Sequence, residues 1–141
     1  MTINLIYIVL KTYTKVDKKL DSRGHTILEL SQQRFFKNKN ESDETLNTLW
    51  SIPITIVTKS SFPKVLKDIL MFDKFCCVDL GRLDEMETIF LNSDNLGFYR
   101  VKYSKEMLEK LLSEYENDSK PFDTSLDRFG FVSDIFALVG F

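Results

Sequence analysis

In several short stretches between Thr26 and Tyr103 the chain alternates apolar and polar residues with a period of two, and after Tyr103 the period lengthens to that of a helix. From Thr26 to Gln33, Leu28 and Leu30 fall on one face and Glu29 and Ser31 on the other, as in a strand with one face buried. Gly24 and His25 mark the start of that strand. Trp50, Ile52, Ile54 and Ile56 repeat the pattern, with Pro53 among them. Proline cannot donate to a ladder, so Pro53 is expected to face outward on an edge strand or to occupy a bulge. Between Ser60 and Gly81 two further short strands are expected, one over Val65 to Phe72 and one over Phe75 to Leu80, where Cys76, Val78 and Leu80 share a side. Thr88 to Tyr103 reads as a half-buried β-hairpin: Ile89 to Leu91 is apolar, Asn92 to Asn95 is a turn cluster, and Tyr99, Val101 and Tyr103 alternate with Phe98, Arg100 and Lys102. The segment from Phe36 to Thr48 has no apolar period and reads as an exposed loop. Short strands with turn signals at this spacing predict an antiparallel β-sandwich.

After Tyr103 the spacing of Met107, Leu108, Leu111, Leu112 and Tyr115 predicts an amphipathic helix with Ser104 as its N-cap. A second helix is expected to start near Asp123 to Ser125. It carries Leu126, Phe129, Val132, Phe136 and Val139 on one stripe, with Phe131, Ile135 and Leu138 widening it and Gly140 ending it. Between Phe129 and Phe141 its only polar side chains are Ser133 and Asp134. A helix apolar nearly all round should be buried on several sides. A partner or further chain is therefore expected to cover it.

Composition narrows the classes. The 141 residues, 43% of them apolar, suffice for one compact core that buries roughly 68–70% of the unfolded chain's surface. Nineteen basic against 21 acidic residues give a net charge of −2 with no basic stripe, so nucleic acid is not an expected partner. The apolar run from Leu5 to Leu10 is far short of the ~20 residues a membrane span requires. Met1 to Lys11 lacks the features of a secretory signal and reads as part of the fold or as a product of where the chain begins. The two cysteines, Cys76 and Cys77, are adjacent and poorly placed for a disulfide, which suits a reducing, cytoplasmic setting. Two sequons, at Asn40 and Asn117, point weakly the other way.

Candidate chemistry is sparse. His25, the single histidine, could act as a ligand or general base, but a turn histidine without a chemical task is the stronger reading. Cys76 could be a nucleophile if His25 lay beside it, against the plainer reading of a pair of thiols in a strand. Asp84, Glu85 and Glu87 could hold a cation, yet no liganding spacing follows them and a solvated loop is favoured. Asp127-Arg128 could be a functional pair, although an acid in a first turn is the ordinary response to the helix dipole. Gly97 reads as relief of crowding at a strand start. No catalytic, cofactor-binding or metal residue is therefore assigned within the chain.

Four segments in order carry a resemblance. They are Leu28 to Phe35, with Gln32-Gln33-Arg34-Phe35; Trp50 to Thr58, with Trp-Ser-Ile-Pro-Ile-Thr; Gly97-Phe98-Tyr99-Arg100-Val101-Lys102-Tyr103; and Asp127-Arg128 followed by Asp134-Ile135-Phe136-Ala137-Leu138. Together, over about Ile27 to Phe141, they resemble the zinc aminopeptidases of the aminopeptidase-N and puromycin-sensitive type. The resemblance implies a mainly β fold with C-terminal helices: residues 1–25 unassigned, a β-sandwich spacer domain over 26–103, and over 104–141 the first helices of a helical C-terminal domain. In that family the sandwich joins a catalytic domain to a helical bowl and supplies no zinc ligand.

The family's His-Glu-x-x-His and Gly-x-Met-Glu-Asn segments do not occur in this sequence, and one histidine cannot make that zinc site. The expectation is a non-catalytic piece of a zinc-dependent aminopeptidase, from a truncated gene model or a split or degenerate gene, with no cofactor of its own and zinc in the parent. Its partners are expected to be the remaining domains of that parent. The alternative is a stand-alone sandwich module that docks through its apolar last helix.

Overall fold

The computed structural model describes residues 12–34, 49–95, 99–122 and 124–138. The loop expected over Phe36 to Thr48, Met1 to Lys11, Gly97, Val139 and Gly140 lie outside the described residues. Among the described residues seven strands form two sheets: β1 (Thr12–Leu20), β2 (Thr26–Arg34), β3 (Ile52–Thr58), β4 (Lys67–Met71), β5 (Phe75–Asp79), β6 (Ile89–Leu91) and β7 (Arg100–Tyr103). The strand orders are β5-β2-β1-β7 and β4-β3-β6. Two helices follow, α1 (Lys105–Glu116) and α2 (Ser125–Leu138). The fold is mainly β with C-terminal helices, as expected. β1, in a stretch for which the sequence reading gave no element, pairs with β2 along its whole length.

Alternation predicts the faces well. Leu28 and Leu30 of β2, Ile52, Ile54 and Ile56 of β3, Val78 of β5 and Val101 of β7 are all buried in the core between the sheets. Pro53 points outward, opposite Leu70 of β4. Its nitrogen faces the side on which Thr55 accepts from the Asn92 N–H, but β6 pairs only with Ile56 to Thr58 and stops short of it. A strand in the middle of the sheet is thus an edge at its proline.

Three expectations are corrected. The hairpin over Thr88 to Tyr103 does not form: β6 pairs with β3 in one sheet, and β7 pairs with β1 in the other. Alternation specifies a strand but not its partner, and a 3-10 turn at Ser93–Asn95, with Asp94 at φ 60°, carries the chain across the sandwich. The β1–β7 pairing is parallel, whereas the other pairings are antiparallel. Ser104 stands at the N-cap of α1, but its hydroxyl makes no capping bond and is buried without a hydrogen-bond partner among the described residues.

The third correction concerns α2. The uncovered side is the main stripe, with Leu126 56%, Phe129 70% and Phe136 78% exposed, whereas Phe131 and Leu138, expected only to widen that stripe, are the residues that dock. The docked seam is Asp127, Phe131, Asp134 and Leu138, spaced i, i+4, i+7 and i+11 on one face. A helix apolar all round carries no phase in its hydrophobic pattern, and here the polar residues sit on the buried side. Phe131 closes an aromatic cluster with Phe122 at 4.8 Å, Tyr115 at 5.9 Å, Tyr103 at 6.2 Å and Phe90 at 6.4 Å between ring centres. That cluster joins both helices to strands of both sheets.

Candidate functional site

Two places gather polar side chains: the turn between β1 and β2, and the joint between the sandwich and α2. In the turn, Gly24 takes φ +77°, a left-handed conformation that glycine adopts without strain. Asp21 Oδ1 accepts from the N–H groups of Arg23 and His25, both at 2.9 Å. The antiparallel β2–β5 register sets Asp79 opposite Ile27, beside the end of that turn. His25 Nδ1 lies 3.1 Å from each Asp79 oxygen, so Asp21, His25 and Asp79 bring potential ligand atoms within 4.8 Å of one another.

Arg23 decides what this trio can do. Its Nη2 donates to Asp21 at 2.7 Å and to Asp79 at 2.9 Å, so a fixed cation already bridges both carboxylates. The Gly81 N–H first, then His25 and Arg23, hold the Asp79 carboxyl down at about 2. With a single histidine and a guanidinium between its acids, the set does not fit the two-histidine zinc centre of the family resembled in sequence. It is a turn staple.

The remaining sequence candidates do not converge. Cys76 and Asp79 stand at opposite-facing positions of β5, three residues apart, so Cys76 does not share the His25 cluster. Burial, then the neighbouring Cys77, pushes the Cys76 thiol up, away from a reactive thiolate. Asp84 Oδ1 accepts from the Met86 N–H at 2.8 Å, Glu87 accepts from the Ser60 N–H and hydroxyl, and the backbone oxygen of Glu85 accepts from Lys110. These three acids turn to separate tasks.

The joint is more organised. Asp127 is 1% exposed; its N–H donates to Thr124 Oγ1 at 3.2 Å, and its carboxylate accepts from the Thr124 hydroxyl at 3.0 Å. The same carboxylate accepts from the Asp94 N–H at 2.6 Å, fastening α2 to the turn that crosses the sandwich. Arg128 stacks its guanidinium 4.1 Å from the Tyr115 ring centre and donates to the Tyr115 and Phe122 carbonyls, covering the C-terminal end of α1. Two turns on, Asp134 accepts from the Val101 N–H of β7 at 3.1 Å. Desolvation raises its carboxyl to about 7 against the opposing bonds from Val101 and Arg100. Tyr103, its phenol pushed up by burial, accepts from the Leu91 N–H at 3.0 Å and so links the two sheets.

Gln32 plays a similar part elsewhere. Its side chain, 3% exposed, donates to the Trp50 and Asp73 carbonyls and accepts from the Trp50 N–H at 2.8 Å. It thereby ties β2 to the segments leading into β3 and β5. Gln32 with Trp50, Tyr103, Asp127 with Arg128, and Asp134 are the residues around which the four sequence segments are built, and each is occupied in holding elements together. Sequence reasoning picked these segments out by their order but not by their task, because hydrogen bonds between distant elements leave no local period.

No protein-family profile matches the chain. Curated proteins do. The puromycin-sensitive aminopeptidase of Caenorhabditis elegans is 34% identical over 125 residues, which is 89% of this chain. The chain belongs to the aminopeptidase family. Other family relatives are the tricorn protease-interacting factor F2 of Thermoplasma volcanium, 30% identical over 86% of the chain, and aminopeptidase M1 of Arabidopsis thaliana, 32% identical over 79%. This aminopeptidase-family chain spans 13% of the length of each of these three relatives. Among its described residues no helix is long and apolar enough to cross a membrane.

Proposed function

We propose that this chain is the non-catalytic connecting part of a zinc-dependent aminopeptidase, a parent enzyme that releases N-terminal amino acids from peptides. The sandwich, extended to Thr12 by β1, serves as the spacer from the catalytic domain, and α1 and α2 open the helical domain. Zinc and its ligands belong to other parts of the parent. The free Cys76 and Cys77 favour a cytoplasmic parent.

One observation carries this reading: α2 is docked along one seam while Leu126, Phe129 and Phe136 lie bare on the other side. Each such side chain forgoes about 1.5–3 kcal/mol of burial in water, which succeeding helices of the parent would recover. The test reads the transcript on both sides of the coding sequence. An in-frame His-Glu-x-x-His with a following Glu upstream, and amphipathic helices downstream, is the expected result. A message that codes for these 141 residues alone, giving a monodisperse and cooperatively folded product, would refute the proposal and favour a stand-alone module.

A further inference from the structure

α2 turns two acids toward the sandwich, Asp127 fully buried and Asp134 with 16% of its side chain exposed, and they stand in opposite surroundings. Asp127 is in the first turn, where the helix dipole favours negative charge, and the Asp94 N–H and Thr124 hydroxyl serve its oxygens at 2.6 and 3.0 Å. Asp134 lies in the C-terminal half, where the dipole gives an anion no support. One of its oxygens takes the Val101 N–H at 3.1 Å. The other has only a 3.4 Å approach from Arg100, whose Nη1 also donates to Ser133 O and Oγ at 3.3 and 3.2 Å. Beside the carboxyl runs a cleft of about 170 Å³ lined with apolar Val101, Leu108, Phe131, Ile135 and Leu138.

We infer that Asp134 is a proton-operated clasp: with a proton on its carboxyl, α2 is held against β7, and loss of that proton loosens the helix from the sandwich. A neutral carboxyl still accepts from the Val101 N–H and needs no countercharge. An ionised one needs several strong donors in a place that supplies one good bond and one long one. From β7, Arg100 favours ionisation, as does Lys102, a second cation that lines the same cleft. The phenols of Tyr99 and Tyr103, both pushed up by burial, stay neutral. On its own helix Asp127 opposes a second negative charge, while α1 contributes the uncharged Leu108 to the cleft. Desolvation outweighs the arginine, which agrees with the carboxyl's rise to about 7.

The sign follows from linkage. A carboxyl raised in the folded state contributes stability that is fully present below its unfolded value of about 4 and is lost as pH rises through about 7. This inference does not rest on the aminopeptidase reading, because both halves of the clasp lie within the chain.

The test measures hydrogen exchange of the Val101 amide in the full 141-residue chain from pH 5.5 to 8, corrected for the intrinsic rate, together with the ¹³C titration of the Asp134 carboxyl. Opening should increase roughly tenfold or more across that range in the wild type. It should stay level in Asp134→Asn, whose amide oxygen still accepts from Val101 but cannot titrate. A carboxyl carbon that titrates below pH 5, equal slopes in the two proteins, or a Val101 amide unprotected at pH 5.5 overturns the clasp. If the asparagine variant does not fold, the wild-type carboxyl titration decides alone.

Discussion

Phe129 and Phe131 are two residues apart on α2, chemically identical, and placed oppositely: 70% exposed and 2% exposed. Truncating each to alanine therefore measures which face holds the helix. Phe131→Ala removes a ring that lies 4.8–6.4 Å from those of Phe122, Tyr115, Tyr103 and Phe90. Buried phenylalanine truncations cost about 3–5 kcal/mol, and each aromatic pair lost adds about 0.5–1.5 kcal/mol beyond burial. Because rigid rings from both sheets and both helices line the gap, collapse can recover little, and the upper part of that range is expected. Against a domain stability of about 5–15 kcal/mol this is a large share. Phe129→Ala should change stability by no more than about 0.5 kcal/mol. Urea unfolding followed by far-UV circular dichroism gives both values, with near-UV signals reporting the aromatic cluster. Equal losses at the two positions, or a larger loss at Phe129, would refute the assigned seam. Appending the following helices of a relative should turn Phe129→Ala from neutral to costly by about 1.5–3 kcal/mol, since the same ring would then be buried.

Other outcomes are equally direct. Gln32→Leu strands the Trp50 N–H and the Trp50 and Asp73 carbonyls, and should lower stability by about 3 kcal/mol in the same assay. Replacing Leu126, Phe129 and Phe136 together with serine should reduce self-association seen by light scattering while leaving the unfolding midpoint nearly unchanged. Zinc added at micromolar concentration should not raise the melting temperature, because Arg23 already bridges Asp21 and Asp79; a rise of several degrees would contradict the turn-staple reading.

The strands were legible wherever one face is buried, because the pleat writes itself into the sequence: Ile52, Ile54 and Ile56, or Leu28 and Leu30, could be assigned a side from spacing alone. Their partners could not. β7 pairs with β1, more than eighty positions earlier, and nothing local in Arg100 to Tyr103 signals it. The phase of α2 was illegible for a different reason, since it is fixed by Asp127 and Asp134 gripping backbone amides of Asp94 and Val101 rather than by hydrophobicity. At the candidate sites, spacing alone favoured a turn histidine without a chemical task, and the countercharge from Arg23 was invisible until β5 brought Asp79 alongside.

The place of β1 between β2 and β7 also sets an order of events on the ribosome. Until Arg100 to Tyr103 has emerged, β1 has one satisfied flank and one bare row of amides and carbonyls open to any passing strand. A nascent chain stalled, or an expression product cut, ahead of Tyr103 should therefore be a sticky half-sheet that draws chaperones, and those four late residues are what cover its Tyr13 to Val16 stretch.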